Sequence, residues 1–137
     1  MVDKLTPGRR SRNMGNIRSK DTTPEIIVRK VAHRLGYRFR LHRKGLPGKP
    51  DLVFPARKKI IFVHGCFWHQ HDDPSCNISR QPKSRRDYWI PKLQRNVERD
   101  KIHLRDLISQ GWTVLVIWEC EVRDIDRLAN KISEFLS

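Results

Sequence analysis

Residues 64–76 read HGCFWHQHDDPSC and constrain the fold more than any other part of the chain. Histidines, cysteines, aspartates and two adjacent aromatics share this short stretch, a mixture a packed core cannot absorb, because each polar member is expensive to desolvate without a partner. Residues of these types gather where a metal or a reaction needs them. Two distant pieces extend the cluster: Pro50-Asp51 at the start of one apolar strand, and Glu119-Cys120 at the end of another.

Apolar spacing predicts alternating helices and strands without internal repeats. Thr23 as N-cap, Pro24 at the first helical position, and Ile27, Val31 and Leu35 recurring until Gly36 predict an amphipathic helix. Residues 37–41 alternate apolar and basic as a half-buried strand does, followed by the turn-rich GLPGKP. Residues 51–54 and 59–64 read as two further strands joined by PARKK. A basic linker then ends at Arg86. Trp89, Leu93, Val97, Leu104, Leu107 and Ile108 mark a long helix closed by Gly111, with Pro91 in its first turns, where it costs least. Residues 112–118 read as a buried strand, and Ile125, Leu128, Ala129, Ile132, Phe135 and Leu136 as a final helix. The order is helix, three strands, helix, strand, helix: one α/β domain over residues 22–137. Residues 1–21 form a basic, polar arm, with a short helical piece around 11–19 carrying Met14 and Ile17.

A chain of 137 residues is one domain, small enough that a structural metal would help it. Its net charge is +14, and residues 1–50 carry 14 Lys/Arg against Asp3, Asp21 and Glu25. Such a surface suits a polyanion, nucleic acid before an anionic membrane. No basic lipid-binding helix, spanning apolar run or signal-peptide core stands out, so a cytoplasmic location is expected. There, three cysteines are more naturally metal ligands than disulfide partners.

Asp51, pinned by Pro50 at a strand end, can offer its oxygens to a hard cation such as magnesium, and the next strand carries His64 at its far end. Cys66, His71, Cys76 and Cys120 use every cysteine and make a Cys3His set for structural zinc, with unbonded thiols as the alternative. Phe67 and Trp68 sit on a polar loop, and Trp89 opens a helix after PKSRR; each can serve either a binding surface or the core. Lys92 and Asn96, one helical turn apart, are by themselves an ordinary solvated face. His33, His42 and His103 lie outside the cluster and read as structural or solvent-exposed.

The order of elements around Pro50-Asp51 resembles the PD-(D/E)XK nuclease superfamily, with FVH standing where its acidic-x-lysine element is expected. More narrowly, SRNMGNIRSKDTTPE, LPGKPDLVF, HGCFWHQH, DYWIPKLQRNVERD and GWTVLVIWEC resemble the very-short-patch repair (Vsr) endonucleases over nearly the whole length. The resemblance implies a restriction-endonuclease-like core, a mixed central sheet flanked by helices, with a structural zinc site. It implies a monomer that nicks duplex DNA on the 5′ side of the thymine of a T:G mismatch by magnesium-dependent hydrolysis, with mismatch-repair proteins as further partners. Asp51 would hold Mg2+, with the Val63 backbone carbonyl and, through water, His64; family members carry threonine at Val63. His69 would be the general base, and Glu25 would support the site. Zn2+ would sit on Cys66, His71, Cys76 and Cys120, although the DDPS segment between His71 and Cys76 is longer than in the family and leaves Asp72 or Asp73 as substitutes for Cys76. Phe67, Trp68 and Trp89 would wedge beside the mismatch, Met14 and Ile17 would enter the minor groove, and Lys92 and Asn96 would read the mispair. Two other classes stay open: a non-catalytic zinc-stabilised nucleic-acid-binding module, and a restriction or junction nuclease of different substrate.

Overall fold

A computed structural model describes residues 22–80 and 83–137; Met14, Ile17 and the helical piece expected around them lie outside the described residues. Helix α1 (Thr23–Arg34) is set by its ends. The cap is Thr22, one residue earlier than expected: its hydroxyl accepts from the Glu25 N–H, and Pro24 falls in the first turn, where no intrahelical donor is required. Gly36, at φ +94°, lets the chain leave in a left-handed conformation open to glycine.

The strand expected over residues 37–41 shortens to β1 (Arg40–Leu41), with both residues exposed. Tyr37 and Phe39 pack against the core instead, Phe39 edge-on to Phe54 at 5.9 Å. His42, at φ +48°, ends the pairing. Strands β2 (Leu52–Phe54) and β3 (Lys59–His64) follow, joined by a 3-10 turn over Pro55–Arg57. They are central: the sheet order is β1-β2-β3-β4, antiparallel for the first two pairings and parallel between β3 and β4. Both faces of β2 and β3 are covered, so their sequences are continuous apolar runs. Leu52, Phe54 and Ile61 join one core with Val28, Ala32, Leu128, Ile132 and Leu136, while Val53, Ile60 and Phe62 join another with Leu107 and Trp112.

Helix α2 (Arg86–Ser109) begins three residues before Trp89, which puts Pro91 in its second turn; the missing N–H costs the helix one bond there. Strand β4 (Thr113–Trp118) is an edge strand, so only Ile117 is fully buried and the expectation of a wholly buried strand is corrected. A 3-10 turn (Glu119–Arg123) leads to α3 (Ile125–Leu136), whose Leu128, Ile132 and Leu136 close the first core. The result is a single α/β domain with a mixed four-stranded sheet, as expected. No described helix is long and apolar enough to cross a membrane.

Candidate active site and metal centre

Three groups of polar side chains gather where β2, β3 and β4 meet the loop after His64. Asp51 stands immediately before β2, and its Oδ2 accepts the Val63 N–H of β3 at 2.6 Å. Val63 therefore meets Asp51 through its backbone, while its side chain packs toward the core between α1 and α3. Glu25, on the first turn of α1, is buried beside Asp51. Burial drives the Asp51 pKa up to about 8; the Val63 N–H opposes that, and the neighbouring Glu25 carboxylate adds to it. Two buried carboxylates side by side form an arrangement that a hard divalent cation stabilises, so Asp51 fits the cation expected there.

One residue beyond Val63, His64 begins the second group. Its ring stacks on His69 at 3.9 Å, and His69 Nδ1 lies 2.6 Å from Asp100 Oδ2. An ionised carboxylate can only accept, so Nδ1 carries a proton, and in the neutral form of this ring the lone pair lies on Nε2. Burial, followed by the charge of His69, lowers the His64 pKa to about 4 despite Asp100, so this ring is neutral at pH 7. Its Nδ1 is buried without a hydrogen-bond partner among the described residues, an atom suited to a water or a cation.

The third group is Cys66, His71, Cys76 and Cys120, whose candidate ligand atoms lie within 4.8 Å of one another. His71 Nδ1 is 3.8 Å from Cys66 Sγ and 3.5 Å from Cys120 Sγ, close to the ~3.6 Å edge of a tetrahedron built from zinc–sulfur and zinc–nitrogen bonds. Burial pushes the Cys66 thiol up to about 12 when it must ionise alone, which a soft cation would reverse. The set fits such an ion. Cys76 belongs to this group, whereas Asp72 and Asp73 are exposed and Asp73 instead accepts from Ser75. Gln70 ties the loop together by donating to the carbonyls of Phe67 and Ser79.

Phe67, Trp68 and Trp89 cluster with edge-on or tilted rings 5.2 to 5.7 Å apart, half-buried and apart from both hydrophobic cores. Lys92 Nζ lies 3.3 Å from the Tyr88 hydroxyl, and the Asn96 amide donates to the Trp68 carbonyl at 3.2 Å. Asn96 thus anchors the backbone under Trp68. An open depression of about 510 Å³ lined by Arg29, Lys30, His33, Arg34 and Phe39 adjoins Glu25 through Arg29.

Three residues of the site, Asp100, His42 and Trp118, escaped the sequence reading. Asp100 lies on α2, eleven residues after Trp89, and nothing in its spacing ties it to His69. His42, read as structural or exposed, faces Glu25 with Nε2 3.7 Å from Oε2. Glu119 accepts the Cys66 N–H at 3.2 Å, and Trp118 stacks on His71 at 4.3 Å, so the end of β4 braces the loop from below. The one available signal was the WEC sequence itself, of which only Glu119-Cys120 was singled out.

The family model for "DNA mismatch endonuclease Vsr" matches residues 2–76. Similar proteins include the "Type II nicking enzyme V.XorIIP" of Xanthomonas oryzae pv. oryzae (strain KACC10331 / KXO85), 50% identical over 99% of this chain and 98% of that one. Another is the "DNA mismatch endonuclease Vsr" of Escherichia coli (strain K12), 37% identical over 96% of this chain and 82% of that one. Among solved structures, the "Homing Endonuclease I-Bth0305I Catalytic Domain" superposes with a TM-score of 0.59 at 26% identity, covering 84% of this chain and 94% of that chain.

Proposed function

The chain belongs to the DNA mismatch endonuclease Vsr family and is a DNA endonuclease; from that premise we propose that it nicks one strand of duplex DNA on the 5′ side of the thymine of a T:G mismatch. The observation that carries the chemistry is the Asp100–His69 pair, stacked on His64 one residue from the Val63–Asp51 contact. His69 Nε2 takes the proton of the attacking water, and Asp100 orients the ring and stabilises it once charged. The water oxygen bonds to phosphorus as a bridging P–O bond breaks, and the leaving oxygen acquires a proton. Mg2+ would be held by Asp51, the Val63 carbonyl and, through water, His64, with Glu25 supporting Asp51, and would supply charge stabilisation at the phosphate. The residues around it exclude solvent and hold the two carboxylates together. Zn2+ on Cys66, His71, Cys76 and Cys120 would tie the loop to β4.

Phe67, Trp68 and Trp89 form the wedge that opens the stack, a role supported by their clustering outside the cores. Lys92 and Asn96 lie within the same patch, and residues 1–21, with Met14 and Ile17, form a separate DNA-contacting arm to the endonuclease domain of residues 22–137. The depression bearing Arg29, Lys30, His33 and Arg34 supplies further positive charge for phosphates. We place the activity in the cytoplasm, performed by a monomer, with mismatch-repair proteins as further partners. Relatives named type II nicking enzymes favour a second reading, nicking at a sequence site that requires no mismatch. A nicking assay on matched duplex and on duplexes holding each mismatch, with magnesium and with EDTA, separates the two. Magnesium-dependent nicking confined to T:G is expected; equal nicking of matched DNA would favour the second reading.

A further inference from the structure

The turn-rich segment between β1 and β2 leads into Asp51, and at Gly48, three residues earlier, it has no room for a side chain. A methyl group placed there would lie 3.0 Å from His103 Cβ, and 3.1 Å from both His103 Cγ and Phe62 Cζ. Carbon atoms in contact prefer about 3.5–4.0 Å, so these partners already sit as near to the Gly48 backbone as a bare glycine allows. Neither partner yields freely: His103 Cβ is fixed by the backbone of α2, and Phe62 is buried in the core that holds Leu107 and Trp112. Gly48 also adopts φ +77°, a left-handed conformation that other residues rarely take.

Each contact leads to a member of the site. Phe62 lies two residues before His64 on β3, and their rings are tilted with centroids 5.4 Å apart. His103 follows Asp100 by three residues, nearly one turn along α2, and Asp100 holds His69. We propose that Gly48 is a positioning residue for the nuclease reaction: its bare backbone is the point where the Asp51 segment, β3 and α2 touch, and it sets the spacing between Asp51, His64 and the Asp100–His69 pair. This rests on the reading above that these groups carry out the hydrolysis, and adds the element that spaces them. A side chain at this point would push α2 or the segment by a few tenths of an ångström. Reacting groups tolerate little of that, since a misplacement of about 1 Å can cost on the order of 10²-fold in rate.

The competing role is a glycine needed only for folding, and Gly45 supplies the control. It lies in the same segment at φ +88°, with no described atom within 4 Å of an added methyl, so Gly45→Ala carries backbone strain without the contact. Single-turnover nicking per folded molecule is measured beside Tm, DNA affinity and the imidazole NMR resonances of His64 and His69, whose mutual stacking makes them sensitive to small displacements. Gly48→Ala should slow nicking about tenfold with DNA affinity retained, and should move both imidazoles. Gly45→Ala should lower Tm and leave rate and resonances at the parent's values. His103→Gly removes the two crowding atoms of α2, so adding it to Gly48→Ala should restore most of the rate. If Gly48→Ala does not fold, His103→Gly alone decides, because it slackens the same junction and should itself slow nicking and move the imidazoles. Parent-like rate and resonances in the deciding variant overturn the proposal, as does an equal loss of rate in Gly45→Ala. With a nicking parent, those outcomes leave the nuclease reading intact; a parent that nicks no DNA overturns that reading and the proposal with it.

Discussion

At Asp51 a single carboxyl carries opposed demands. Burial and the Glu25 charge raise its pKa to about 8, while the Val63 N–H favours the ionised form. Because the folded value lies above that of an unfolded aspartate, the folded protein binds this proton more tightly, and stability falls as pH rises from about 4 through about 8. His64, whose pKa is lowered to about 4, acts in the opposite sense at the acid end, so the informative comparison is between two proteins that both retain it. In buffer without divalent metal, Asp51→Asn should be more stable than the parent at pH 8 by at least ~1 kcal/mol, with little difference at pH 4. Denaturant midpoints at the two pH values measure this, and parallel profiles would show that Asp51 ionises freely. The Asp100–His69 contact makes a second demand: Asp100→Asn removes the preference for a proton on Nδ1. Single-turnover nicking should fall about 10²–10⁴-fold with DNA affinity retained; an unimpaired rate would show that Asp100 does not orient the base. His64 and His69 drew notice because they share the odd stretch 64–76, and Asp51 because Pro50 pins it at the start of an apolar strand. Asp100 and His42 did not, because periodicity says which face a residue occupies and not which distant side chain it meets.

Among the elements, the loop from Gly65 to His71 and the start of α2 carry the aromatic patch. Phe67, Trp68, Trp89 and Tyr88 contact one another through ring pairs, and none belongs to the two cores that hold the sheet. Replacing Phe67 and Trp68 together by alanine should therefore cost less than the ~3–5 kcal/mol of a single core aromatic, largely the ~0.5–1.5 kcal/mol of each ring pair. The same variant should lose much of its preference for T:G over matched duplex, read by competitive binding. Severe destabilisation with unaltered preference would return these rings to the core. Among the described residues, the helices and β3 followed from apolar spacing to within a few residues. The strand expected over residues 37–41 did not, because Tyr37 and Phe39 gain more by packing on the core than by extending a ladder at a sheet edge.

On the scale of the whole molecule, Cys120 joins the end of β4 to a loop that no regular element holds. Glu119 and Trp118 reinforce the same junction through the Cys66 N–H and the His71 ring. With zinc bound there, Cys120→Ala should lower Tm well beyond an ordinary thiol deletion and reduce nicking, since structural zinc contributes on the order of 10–16 kcal/mol of apparent binding energy. Metal analysis should find one zinc per chain; a stable, active preparation without zinc would remove the metal from this role. The sequence alone determined the α/β class, the order of elements, the basic surface and the Cys3His set, because hydrophobic period, charge and ligand chemistry are local properties of the chain. Only the tertiary structure decided that His42 lies beside Glu25 and Asp51, and that Asp100 and Trp118 flank the histidines. Those meetings depend on the parallel register of β3 with β4 and on how α1 and α2 dock against the sheet, which packing sets and no local pattern encodes.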